Sequence, residues 1–239
     1  MPDGIFAAAS GMAAQSARMD ALSNDIANVN TTGYKQVELG FRDLVYDAQQ
    51  GVRVGTGAAV VDLGRSLAQG PIQQVDNPLA LAIQGSGYFQ VKRADGQTAL
   101  TRAGDFKLDA AGDLVTAGGE QLVPPIRLPK GASASDVTIS ADGAVSAKGA
   151  KIGQIELVDV PAPAGLQSVG DNLFVTTTAS GAAGAATGWK VQQGAVEGSN
   201  VDLASEMVDM IDAQRGFQLA SQAIKTQDEL MQTANDIRR

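Results

Sequence analysis

The sequence predicts an α+β chain with a long helix at each end. Between the helices it places a Gly-rich extended stretch and then an antiparallel all-β body. Three observations carry this prediction. Apolar residues recur every seven positions over residues 4–32 and again over 200–238. Residues 79–194 break into short β-forming runs separated by Gly, Asp-Gly and Pro turn signals. No helical period intrudes between those runs.

The first helix is predicted over 4–32. Ile5, Met12, Met19 and Ile26 mark one position of a heptad, and Ala8, Gln15, Leu22 and Val29 mark the position three further on. This is the a/d seam of a helix packed on other helices, about 40–45 Å long at 1.5 Å per residue. Asn24 and Asn28 are i,i+4 neighbours beside the Ile26 seam, where their amides would fix register between helices. They also weaken helix propensity, because the amide competes for backbone hydrogen bonds. A helix weakened in this way can be left to order when it packs on its neighbours. Thr32 and Gly33 are read as the stop, with Gly33 as a left-handed C′ residue. Tyr34 and Lys35 begin the next segment, and Lys35 sets a positive charge beyond the negative end of the helix.

The second helix is predicted over 200–238. Ser199 or Asn200 is its candidate N-cap, with Asp202 and Glu206 at the positive end of the dipole. Met210, Phe217, Ile224 and Met231 form the heptad series, which Leu203 extends towards the N-terminus. Ala213, Ala220, Gln227 and Ala234 fill the companion positions. Met207 and Ile211 widen the stripe beyond what one partner helix requires, and the alanines allow further helices to approach closely. Packing between subunits as well as within one is the expectation. Gln214 and Arg215 beside Phe217 are read either as solvated neighbours or as polar contacts between subunits. The terminal Ile-Arg-Arg suits the helix dipole.

Between the helices, 36–78 is Gly-rich and lightly patterned, as extended strands and turns are. From 79 onwards the candidate strands are LALAIQ, YFQVKR, TALTR, DFKLD, VTISA, KIGQIELVDV and LFVTTT. The turn signals lie at Gly85–Gly87, Asp95-Gly96, Ala111-Gly112, Asp142-Gly143 and 161–165. Asp-Gly within VKRADGQTALT is a hairpin signature. The expected organisation is a discontinuous helical assembly domain (1–35 and 195–239), a linker domain (36–78) and an all-β outer domain (79–194).

Composition narrows the function. Eighteen Lys and Arg against 26 Asp and Glu leave a net charge of −8, which disfavours a nucleic-acid partner and docking on an anionic membrane. The chain has neither Cys nor His. It therefore offers no thiolate or imidazole ligand and none of the commonest general bases. No catalytic residue, metal site, cofactor or small-molecule substrate is assigned, and the chain is read as a non-enzyme. The N-terminus has no basic region followed by an apolar core, so no cleaved leader is expected. No run reaches the roughly 18–20 apolar residues of a membrane span. Gly-Ser-Gly at 85–87 reads as a turn, since no helix follows to complete a phosphate loop. Asp95, Asp105, Asp109 and Asp113 read as Asx-type turn residues and not as a calcium loop. An acidic carbohydrate-binding β protein is the alternative from another class, although one Trp, three Tyr and six Phe supply little for sugar stacking.

SGMAAQSARMDALSNDIANVNTTGYK (10–35) closely resembles the N-terminal signature of the axial proteins of the bacterial flagellar rod and hook. EGSNVDLASEMVDMIDAQRGFQLASQAIKTQDELMQTANDIR (197–238) resembles their C-terminal signature. NPLALAIQGSGYFQV and TRAGDFKLDAAGDLVTAGGEQLV resemble their β domain. The likeness covers nearly the whole chain, with the motifs in the family's order. The stretch from PPIRLP to LFVTTTASG looks most like the distal-rod members, and there is no room for the further outer domain of a hook protein. FRDLVYDAQQGVRVGTG (41–57) runs straight through where distal-rod members carry an extra stretch, so proximal-rod and hook-type members stay open as readings. The resemblance implies terminal helices lining a central channel and a linker and a β domain outside them. It further implies a helical stack of identical subunits that transmits torque as a hollow shaft. The implied partners are other copies of the chain, other rod and hook proteins, the flagellar type III export apparatus and ring proteins around the rod. The implied location is the flagellar basal body, reached without a cleaved signal.

Overall fold

A computed structural model of the protein describes residues 3–44, 46–49, 52–55, 57–129 and 131–237. It is α+β, with a helix near each end, α1 (Asp3–Ala27) and α2 (Leu203–Ile237), and antiparallel strand pairing between them. The chain divides into two compact units. One holds 1–27, 37–63 and 202–239, the other 28–36 and 64–201.

In the first unit α1 and α2 pack side by side in opposite directions. Gly4 faces Gln227, Gln15 faces Gly216, and Arg18 Nη2 meets Asp209 Oδ1 at 2.8 Å. Gly216 marks the close approach, since a Cβ there would stand 3.0 Å from the Gln15 amide. Strand Val37–Asp43 pairs with Ala58–Arg65 and lies against α1. The Val37 N–H donates to both Asp25 carboxylate oxygens at 3.2 and 3.3 Å, and the Arg18 guanidinium sits over the Phe41 ring. A small hairpin, Tyr46–Gln49 with Val52–Gly55, completes the unit.

Both helices differ from the prediction at their inner ends. α1 stops at Ala27, five residues short of 32. There Asn28 closes a turn, accepting the Thr31 N–H at its carbonyl (3.0 Å) and the Thr31 hydroxyl at its amide oxygen (3.1 Å). The amide outcompetes the helical ladder, as asparagine tends to, so Val29 leaves the heptad that it extends on paper. α2 starts at Leu203 and is capped by Asp202, which accepts the Ala204 N–H (3.2 Å) and the Ser205 hydroxyl (2.8 Å). Ser199 and Asn200 are not its caps. Ser199 Oγ takes the Val201 N–H, and Asn200 Oδ1 takes the Gln36 N–H. Arg238 and Arg239, read as dipole partners, lie outside the described residues.

The second unit is built on a nine-stranded antiparallel sheet centred on Tyr88–Lys92. That strand pairs with Thr98–Thr101 on one side and with Gln121–Val123 and Leu157–Asp159 on the other. Asp95 makes the turn to Thr98–Thr101 by accepting the Gln97 N–H at 2.9 Å, as the Asp-Gly signature requires. Alternation divides the two faces. Phe89 and Val91, with Leu81, Ile83, Phe106, Leu122, Ile126 and Ile155, fill the main core. Tyr88 with Leu100, Val160 and Phe174 forms a smaller cluster. Phe89 and Phe106, both fully buried, meet edge to face with centroids 5.1 Å apart. KIGQIELVDV, read as one run, is two strands (Ala150–Gln154 and Leu157–Asp159) that pair with different partners. Strand pairing continues to Ala195–Glu197, which lies against Ile72–Gln74.

Candidate functional site

The heptad residues of the two helices divide into two sets by exposure. Leu22 is buried, and Ile5, Met12, Met19, Ile26, Met210 and Ile224 are half-buried, as the facing seam of an antiparallel pair demands. Leu203, Met207, Ile211, Phe217 and Met231 are exposed instead, joined by Phe6, Val208, Leu219, Leu230 and Ile237. Asn24 and Gln214 are exposed as well, and Asn28 is half-buried in the turn that follows α1. Single exposed apolar residues are ordinary on a protein surface; here Leu203, Met207, Val208 and Ile211 lie within the first nine residues of α2. Among the described residues no helix is long and apolar enough to cross a membrane.

The second unit holds a polar centre that joins four stretches distant in sequence. Glu197 is fully buried on the last strand before α2. Its Oε1 meets Lys35 Nζ at 2.6 Å and accepts the Gly70 N–H at 3.0 Å, and its Oε2 meets Arg102 Nη1 at 3.2 Å. Lys35 Nζ also donates to the Ala68 carbonyl (2.7 Å), and Arg102 Nη2 to the Gly85 carbonyl (3.0 Å), with the Arg102 guanidinium over the Tyr88 ring. Burial pushes the Lys35 ammonium below its ordinary range, and the bond to Glu197 offsets part of that shift. Burial likewise raises the Tyr88 phenol. Lys35 is thus one arm of a buried ion triad, not a charge placed for a helix dipole. The adjoining residues are fixed too. Tyr34 OH accepts from Arg65 Nη1 at 3.2 Å and the Lys35 carbonyl from the same group at 2.9 Å, and the Asn172 amide donates to the Thr32 carbonyl at 2.9 Å.

Gly33 is indispensable here, though not as a helix C′ residue. Its φ is +69°, its N–H donates to the Glu197 carbonyl at 2.8 Å, and a Cβ would lie 2.5 Å from the Ala103 nitrogen. The chain after α1 and the chain before α2 therefore meet through Gly33, Lys35 and Glu197. Sequence reasoning singled out Gly33 and Lys35 but missed Glu197 and Arg102. The available signal was an acidic residue within the apolar strand AVE.

A cavity of about 430 Å³ adjoins this centre, lined by Lys35, Gly85–Gly87, Tyr88, Arg102 and Asp159 among others. Lys35 and Arg102 are balanced there by Glu197 and Asp159, so the cavity lacks the surplus positive charge that an anion site needs. Gly-Ser-Gly serves as a strand turn, with Gly85 and Gly87 at positive φ. Asp95 and Asp109 make Asx turns. Asp113 instead holds Arg127 in a fork, at 2.8 and 2.6 Å, which keeps its carboxyl below the ordinary range. No cluster among the described residues could hold a metal ion.

Comparison with known proteins finds three family models along the chain. Residues 5–35 match the flagella basal body rod protein family, residues 82–147 the flagellar hook protein FlgE/F/G D1 domain, and residues 192–237 the flagellar basal body rod FlgEFG protein C-terminal family. Flagellar basal-body rod protein FlgG of Borreliella burgdorferi is 36% identical over 260 residues, covering 98% of both chains. FlgG of Caulobacter vibrioides is 38% identical with 97% of each chain covered, and FlgF of the same organism is 32% identical with 90% of this chain covered. The first of these alignments is longer than the 239 residues of this chain, so that relative carries residues with no counterpart here.

Proposed function

Since the chain belongs to the family of flagellar basal-body rod and hook proteins and is a structural rod subunit, we propose that it builds the rod through the outward faces of α1 and α2. The observation that carries this reading is the exposed set Met207, Val208, Ile211, Leu219 and Leu230 on α2, together with Leu203, Phe217 and Met231 on the heptad line that also carries the half-buried Met210 and Ile224. Copies stack helically, and each buries the stripe of the next, in coiled-coil fashion. The thioethers of Met207 and Met231 adapt to slightly different neighbours around a curved wall. Residues 1–35 and 195–239 act as the inner assembly domain that lines a channel, 36–78 as a linker domain and 79–194 as an outer domain, and the stack transmits torque as a hollow shaft in the distal rod. Other rod and hook proteins are its neighbours along the axis and ring proteins surround it. It reaches the basal body through the flagellar type III export apparatus.

Within this reading the buried triad has a mechanical task. The chain leaves α1 through 28–36 and enters α2 through 198–202, and Glu197 ties both connections to the same buried point. Asn24, Gln214 and Arg215 supply polar contacts at the rim of the apolar stripe, where they fix register rather than affinity.

The test is assembly with folding held constant. Met207→Asp and Ile211→Asp alter exposed positions, so the monomer keeps its helical and β circular-dichroism signals and its melting temperature. Filament formation from concentrated or seeded protein, and complementation of a motility-deficient strain, are lost. Normal filaments and swimming with both changes would overturn the proposal.

A further inference from the structure

Each heptad seam carries one polar companion, Gln15 on α1 and Gln227 on α2, and each of the two meets a glycine of the other helix. A Cβ at Gly216 would stand 3.0 Å from both Cδ and Nε2 of Gln15, and a Cβ at Gly4 would stand 3.2 Å from Oε1 of Gln227. Gly4 and Gln15 are eleven residues apart on α1, as Gly216 and Gln227 are on α2. In an antiparallel pair the two contacts are therefore reciprocal, and they lie about three turns apart. Gly11 is different, since a Cβ there would meet nothing within 4 Å. The Gln15 contact costs stability. Its Oε1 is buried and accepts no hydrogen bond, a loss that an apolar side chain of similar length avoids. Each contact also sets a glycine in a helix, where alanine is the better helix former.

We propose that the two Gln-over-Gly contacts are a two-point register key for the helix pair, with Gln15 as the residue that discriminates. The apolar seam alone does not choose a register. A shift of one heptad brings like positions back face to face, and α1 and α2 must find each other across the whole of residues 28–202. In the observed register both glutamines meet glycine. Shifted by one heptad in one direction, Gln227 comes opposite Gly11, but Gln15 then meets Ala223 and Gly216 meets Leu22. Shifted in the other direction, Gln15 meets Asp209 and Gly216 meets Ala8. Of these three registers, only the observed one gives the Gln15 amide a site without a Cβ. A single polar residue in a coiled-coil seam fixes register in the same way, at a cost in stability. The key lies within one unit of the monomer and does not depend on the rod reading.

The experiment is amide hydrogen exchange of α1 and α2 in the full-length monomer, with peptides from strand Tyr88–Lys92 as the internal reference. Gly11→Ala places a better helix former at an open position, so helix protection rises about fourfold. Gly216→Ala forfeits that gain while Gln15 is present, and recovers it in a Gln15→Ala background, where the facing amide is gone. The chain has no Cys, so spin labels at Ala13→Cys and Glu229→Cys, both exposed positions, read the register without competing thiols. With Gln15 in place the labels give one distance. Gln15→Met keeps the side-chain length and removes the unpaired acceptor. It leaves the helices at least as well protected but adds a second label distance, with the axial offset shorter by about 10 Å, one heptad of rise, as Gln227 moves to Gly11. Gly216→Ala gaining as much as Gly11→Ala while Gln15 is present, or a single native distance in the Met variant, would overturn the key.

Discussion

Replacing Glu197 by glutamine preserves the volume and one acceptor but removes the charge on which Lys35 and Arg102 converge, at 2.6 and 3.2 Å. Both cations have nearly dry side chains, 5% and 8% exposed, so water cannot take over. The new amide also turns an NH₂ group towards one of them. Breaking a buried ion pair from one side costs about 3–5 kcal/mol, because a buried charge is left uncompensated. A domain of this size loses about 2–4 °C per kcal/mol, so the β unit should melt roughly 6–20 °C lower. The chain supplies its own probe. Its one tryptophan, Trp189, packs against the main β core and donates to the Ala186 carbonyl at 3.0 Å. Fluorescence therefore follows this unit, while ellipticity at 222 nm weights the helices. Lys35→Met should cost less than Glu197→Gln, because Glu197 keeps Arg102 and the Gly70 N–H. A Glu197→Gln transition within about 0.5 kcal/mol of wild type, the range of an ordinary surface change, would refute the view that this triad anchors the unit.

Further predictions concern single positions. Gly33→Ala should destabilise the β unit by at least about 1–2 kcal/mol for the left-handed φ alone, with more for the Cβ placed 2.5 Å from the Ala103 backbone, as chemical denaturation would read. Phe106→Ala should cost about 3–5 kcal/mol in the same assay, because it empties the fully buried site edge-on to Phe89. Asp113 contributes stability above the ordinary carboxylate range and loses it as pH falls through its lowered value, since Arg127 favours the ionised form. Asp113→Asn should accordingly lessen the acid sensitivity of the β unit between neutral pH and pH 3 while lowering its stability at pH 7. Replacing Asp202 by alanine should remove the α2 cap and cost about 1 kcal/mol of helix stability, measurable as faster amide exchange in 203–206.

What could be read from the sequence follows the range of the forces involved. The heptads locate both helices because burial on one face repeats every turn, and Asp95-Gly96 locates its hairpin because a turn is decided within four residues. The end of α1 was legible in principle. Asn28 and Thr31 are turn-forming residues in plain view, but Val29 continues the heptad and so masks the side chain that ends the helix. The same period merges two kinds of helical position. Leu203 and Met210 look alike on a heptad count, yet the second is half-buried and the first is exposed. The ion triad was illegible for a different reason. Lys35 and Glu197 lie 162 positions apart, and Arg102 and Glu197 lie 95 apart. No local pattern couples such residues, and only a charge set in an apolar strand hinted that Glu197 had to be paired.

The most direct test of the central reading is a cryo-EM reconstruction of basal bodies from cells that make this chain as their copy of the protein, at a resolution that shows side chains. The predicted result is density for the chain repeated helically along the rod, with Met207, Ile211 and Phe217 of each subunit buried against the helices of the next. Rod density that fits other proteins throughout, or this chain with its α2 stripe facing solvent, would contradict it.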